Sequence, residues 1–171
     1  MNTTGTNKHR AGNSPHDLPQ FGERIAGNIY TYRPGAYAVV FDADQRVAVA
    51  KNKYGYYFLL GGGAESSETM EETLHREVLE ESGYDIQIHR KLGEAIECFW
   101  AENDQRHFEV HGHFYAASFG QRVREPVNDH HVLVWLTAEE AVNQLCRESQ
   151  VWAVRQAVAG NNDMHAVGVG L

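Results

Sequence analysis

A chain of 171 residues with a formal net charge of −8 has room for one substantial core and short tails. That charge argues against general nucleic-acid binding, which needs a basic face, yet a polyanionic nucleotide stays admissible if metal ions bridge the two sets of negative charge. Two cysteines, Cys98 and Cys146, are too few for a disulfide framework and lack zinc-site spacing, so a reducing cytoplasmic setting fits.

In chain order, the polar opening has no apolar run for a signal peptide or a membrane span, and residues 1–28 read as a flexible tail. Residues 32–41 (YRPGAYAVVF) are β-branched and aromatic, 42–45 are turn-like and 46–50 resume as strand, which predicts a hairpin. A further strand over 56–60 runs into Gly61, Gly62 and Gly63. These form either a flexible turn or a glycine loop whose backbone must approach a metal or phosphate closely.

The next stretch carries the chemistry. Ser66 or Ser67 can cap a helix that ends before Gly83, and Met70, Leu74 and Val78 give it an apolar stripe. At roughly 100° per residue, Glu77 and Glu81 fall on or beside that stripe and Glu80 at its edge. Glu68, Glu71, Glu72 and His75 fit an ordinary solvated face. Glu77, Glu80 and Glu81 do not, since like charges at these spacings repel and half-buried carboxylates are costly without a partner. A hard divalent cation, Mg²⁺ or alternatively Mn²⁺, answers both problems, and such ions serve phosphate chemistry.

Beyond Gly83, residues 85–100 and 106–118 read as two long strands across the polar turn 102–105. In the second, His107, Glu109, His111, His113 and Tyr115 alternate with Phe108, Val110, Gly112 and Phe114. The alternation allows a half-exposed sheet, a polar cleft wall with Glu109 or His111 near the metal, or a histidine-rich transition-metal site, the last disfavoured by the harder acid set of the helix. After a loop over 120–130 and a strand over 131–136, Thr137 and Glu140 form a capping box for a helix with Ala141, Val142 and Leu145. A last helix carries Val151, Trp152, Val154 and Val158, and residues 160–171 read as a C-terminal extension. Mixed strands, one internal acidic helix and C-terminal helices predict an α/β/α sandwich with a mixed β-sheet over 29–159.

The pattern Gly62, five residues, Glu68, seven residues, Arg76-Glu77-Val78-Leu79-Glu80-Glu81-Ser82-Gly83-Tyr84 resembles the Nudix box, G-x5-E-x7-R-E-U-x-E-E-x-G-U. Leu60 stands where many relatives have proline, and Tyr84 is aromatic where an aliphatic residue is usual. The resemblance covers roughly residues 30–159 and implies the Nudix fold. It also implies metal-dependent hydrolysis of a nucleoside diphosphate linked to another group, X. Glu77, Glu80 and Glu81, with the Gly62 carbonyl, are then the implied metal ligands. One glutamate, Glu77 or Glu80, or a metal-bound hydroxide serves as base, while Arg76 either touches phosphate or, with Glu68, orients loop and helix. Glu125 or Asp129 could supply the further carboxylate that relatives bring from this part of the chain. The local signatures of coenzyme A, NADH and ADP-ribose enzymes are not evident. The plan is most like the MutT-like group, which converts oxidised nucleoside triphosphates to the monophosphate and pyrophosphate. Tyr54, Tyr56, Phe99 and Trp100 are candidates for base stacking, or else for the core. The remaining alternatives are hydrolysis of ADP-ribose or a nucleotide sugar, and a nucleotide-sensing module without catalysis. The expected partner is a small nucleotide, not a nucleic-acid polymer or a membrane, with a homodimer left open.

Overall fold

The computed structural model describes residues 17–127 and 130–166, with side chains to 161. Its strands are β1 (Gln20–Phe21), β2 (Tyr30–Val40), β3 (Val47–Asn52), β4 (Tyr57–Gly63), β5 (Tyr84–Ala101), β6 (Arg106–Arg122) and β7 (His131–Leu136). The helices are α1 (Met70–Ser82), α2 (Ala138–Gln144) and α3 (Glu148–Ala166). All strands join one sheet in the order β1-β5-β6-β2-β4-β3-β7, with β2 parallel to β6 and β4 antiparallel to both of its neighbours.

Each sheet face carries its own core, which is why the middle strands read as unbroken apolar runs. On one face α1 lays Leu74 and Val78, both fully buried, over Ala36, Ala38, Ala48, Ala50 and Leu60. Those alanines let the helix approach the sheet closely, and truncating Leu74 to alanine would cost about 2–5 kcal/mol. On the other face α2 and α3 bury Ala141, Ala153, Val154 and Ala157 against Val39, Val47, Val49, Leu59 and Phe114. The result is the α/β/α sandwich that the order of elements predicts. Among the described residues no helix is long and apolar enough to cross a membrane.

Four local expectations change. The hairpin expected from 32–41 and 46–50 closes only at its turn, through the bridge Phe41↔Val47, because β4 inserts between β2 and β3 and pairs with both. The helix does not start at Ser66 or Ser67. Thr69 is its N-cap, and Thr69 and Glu72 form a reciprocal capping box, so Glu72 is a structural acid and not merely a solvated one. The glycines are not a loop: Gly61, Gly62 and Gly63 finish β4, paired with Tyr37, Ala36 and Gly35. Lastly, the span expected as a tail over 1–28 contains β1, whose Phe21 packs against Trp152 of α3, and α3 runs on past Gly160 to Ala166. Residues 1–16 lie outside the described residues.

Candidate active site

The box is assembled by the junction of β4 with α1. Gly83 closes the helix in the left-handed conformation, φ 77°, its N–H donating to the Leu79 carbonyl. Arg76 then ties the helix back to the segment that precedes it. Its Nε donates to Glu68 Oε1 at 2.6 Å, Nη2 to Glu68 Oε2 at 2.9 Å and to the Gly63 carbonyl at 3.1 Å, and Nη1 to Glu77 Oε1 at 2.9 Å. These bonds hold Glu68 at a pKa of about 2, and they raise that of Arg76 in turn. Thr73 Oγ1 also donates to Glu68, and Glu65 N–H donates to it at 3.0 Å, so this acid is a knot in the segment and not a solvated side chain.

The three expected ligands share one end of the helix in different surroundings. Glu77 is half-buried beside Gly62, where an added Cβ would come within 2.5 Å of the Glu77 Cδ and push the carboxylate from its place. Burial raises the Glu77 pKa, Arg76 opposes the rise, and the charges of Glu81 and Glu80 add to it. Glu81 is only 6% exposed; its Oε2 accepts from Gly61 N–H at 3.0 Å and its Oε1 faces His131 Nδ1 at 3.2 Å. The Glu80 side chain is 39% exposed and meets Arg76 only at 3.7 Å. Three crowded carboxylates, one of them resisting ionisation, with lone pairs to spare and a glycine backbone against Glu77, fit a divalent cation.

A cavity of about 230 Å³ opens beside this centre, lined by Gly61, Gly62, Glu81 and His131 at one end and by Arg33, Phe99 and Arg147 at the other. A second hollow of about 300 Å³ shares Arg33, Phe58, Phe99 and Arg147 and continues to Tyr54, Tyr56 and Trp100. All four aromatic candidates therefore line one trough, and Arg147 lies over the Phe99 ring at 3.3 Å. The auxiliary acids fare differently. Glu125 pairs with Arg122 with 81% of its side chain exposed, Glu109 is engaged by Arg24, and neither lines either hollow. Asp129 lies outside the described residues.

Several lining residues escape the sequence reading. Arg33, Tyr37, His131 and Arg147 come from distant segments with no spacing to mark them. Glu97 did carry a signal, a lone acid inside the apolar run AIECFW. It is buried and takes both the N–H and the hydroxyl of Ser149 at the start of α3.

The NUDIX domain family model matches residues 31–158. A Bacillus subtilis (strain 168) protein provisionally named 8-oxo-dGTP diphosphatase is 35% identical over 63 residues, 36% of this chain and 42% of that protein. Nudix hydrolase 4 of Arabidopsis thaliana is 32% identical over 99 residues, 57% of this chain and 44% of that protein. The chain thus spans less than half the length of these two curated relatives. Among solved structures, a NUDIX hydrolase from Nitrosomonas europaea superposes with a TM-score of 0.63 at 14% identity, over 76% of this chain and 90% of that one, a likeness of fold.

Proposed function

The chain belongs to the NUDIX family, and from that premise we propose that it hydrolyses a nucleoside diphosphate linked to a group X, in MutT-like fashion a nucleoside triphosphate, giving the monophosphate and pyrophosphate. One observation carries the reading. The trough joins a wall that fits a cation, at Gly62 and Glu81 with Glu77 against Gly62, to an aromatic wall at Phe99, Trp100, Tyr54 and Tyr56, and Arg33 and Arg147 line both of its hollows. A phosphate chain, its charge-balancing cations and a base need that sequence of surroundings. The Bacillus subtilis relative, by its name an 8-oxo-dGTP diphosphatase, supports a triphosphate as X-linked substrate.

A divalent ion, Mg²⁺ or Mn²⁺, held by Glu77, Glu80, Glu81 and the Gly62 carbonyl would neutralise the diphosphate charge that otherwise repels a nucleophile. The protein's own groups do the rest. Glu80, the most exposed of the three and the least engaged, is the carboxylate left freest to accept the proton of the attacking water. Arg76 and Glu68 act as positioning residues, since the guanidinium is already committed to four acceptors. Arg33 and Arg147 draw the phosphate chain along the trough, and the aromatic rings hold the base. The full set of helix glutamates counts against a pure sensor, which has no need of it.

The test is a panel of nucleoside triphosphates, oxidised dGTP, ADP-ribose, nucleotide sugars and dinucleoside polyphosphates, assayed with Mg²⁺ and with Mn²⁺. Pyrophosphate and monophosphate from a triphosphate are expected. Turnover confined to ADP-ribose or a nucleotide sugar would replace the substrate class, and binding without turnover of any member would replace catalysis by sensing.

A further inference from the structure

We propose that Glu94, His111 and His113 form a second metal centre, separate from the helix glutamates, suited to a borderline transition cation such as Zn²⁺. One ligand atom from each residue lies within 4.8 Å of the other two, and all three side chains are partly buried. The donors sit on neighbouring strands. Glu94 of β5 is the register partner of His113 on β6, and His111 stands two residues along on the same face. His111 Nε2 is 2.7 Å from Glu94 Oε2, His113 Nδ1 is 3.6 Å from Glu94 Oε1, and the two imidazoles stack with centroids 4.5 Å apart. A tetrahedral zinc with ligands at roughly 2.0–2.2 Å holds its donors about 3.4 Å apart, so the His113–Glu94 separation already fits and the His111–Glu94 pair would have to open by under about 1 Å.

One further feature of the surroundings favours a ligand set over an ordinary polar cluster. Tyr32 Oη lies 3.1 Å from His111 Nδ1, so one ring nitrogen is fixed by an outer hydrogen bond while the other is aimed at Glu94; metal-binding histidines are oriented in this way. Lys91 places its ammonium against Glu94 and would have to be displaced by the ion, which its flexible and partly exposed stem allows. Imidazole donors select zinc, nickel or copper over magnesium, and two histidines with one carboxylate leave a fourth position open. The centre is not the box. His113 pairs with Ala36 and Ala36 with Gly62, so two strand spacings, roughly 10 Å, part it from the glycine beside Glu77.

Calorimetric titration of the full chain with Zn²⁺, in excess Mg²⁺, tests the proposal without any activity assay. One Zn²⁺ per chain with a micromolar or tighter Kd is expected. His113→Gln and Glu94→Gln should each weaken it at least tenfold, Lys91→Met should strengthen it, and Glu80→Gln should leave it within twofold. Thermal melts check that each variant is folded. Absence of binding, or binding that survives both His113→Gln and His111→Gln, would overturn the site; loss in Glu80→Gln alone would overturn it by placing the ion on α1. Co²⁺ gives a second readout, a visible absorption band that the histidine variants should lose.

Discussion

Arg76 grips Glu68 with two guanidinium nitrogens, at 2.6 and 2.9 Å, across the turn that separates the end of β4 from α1. The pair connects the glycine-bearing strand to the glutamate-bearing helix, because the same guanidinium also reaches the Gly63 carbonyl and Glu77. Lysine keeps the charge but cannot form the planar two-point bond. Arg76→Lys should therefore lower kcat by about tenfold or more, through misplacement of Glu77, with a smaller change in KM. Steady-state kinetics on the substrate found by the panel would check this; an unchanged kcat would mean the pair is dispensable for geometry.

Glu80 has the least internal engagement of the three helix acids, so its replacement should disturb the fold least and the chemistry most. Glu80→Gln should cut turnover by at least about a hundredfold while the melting temperature of metal-free protein stays near that of the parent. Activity within a few-fold of the parent would remove Glu80 from the mechanism.

The aromatic end of the trough should act on binding more than on chemistry. Trp100 is 44% exposed beside Phe99, and Trp100→Ala removes one stacking surface without opening the core. Loss of one base–aromatic contact, about 1–3 kcal/mol, corresponds to a rise in KM of roughly 5- to 150-fold at nearly constant kcat. A fall in kcat with unchanged KM would move the base elsewhere.

How much of this was legible depended on how local each feature is. Glu77, Glu80, Glu81 and Gly83 belong to one helix, whose 3.6-residue repeat puts them together whatever the rest of the chain does. The cap was equally local, T-x-x-E at Thr69 and Glu72, but the competing serines sit just ahead of it; Ser67 takes φ 78° and cannot begin the helix. The hairpin failed because strand adjacency is decided by long-range pairing, and β4 gains two partners by entering between β2 and β3. Arg33, His131 and Arg147 were hidden for the same reason. They meet only once β2, β7 and the start of α3 are in place, and no spacing in the chain encodes that meeting.

The pH dependence of stability tests the cation argument at Glu77. Burial and the neighbouring Glu81 and Glu80 raise its folded pKa above 4.5, despite Arg76. A carboxylate with a raised folded pKa destabilises the fold when ionised, so the penalty is full above the raised value and is relieved as pH falls toward 4.5. In EDTA, Glu77→Gln should therefore be more stable than the parent near neutrality, and the difference should shrink as the solution is made acidic. A divalent ion favours the charged form and depresses the folded pKa. With saturating Mg²⁺ the parent should then be the more stable protein near neutrality, and its advantage should fade as pH drops through the depressed value. Thermal melts of both proteins with EDTA and with Mg²⁺, from about pH 8 down to about pH 3, measure the two differences. Identical profiles with and without Mg²⁺ would show that Glu77 does not hold the ion.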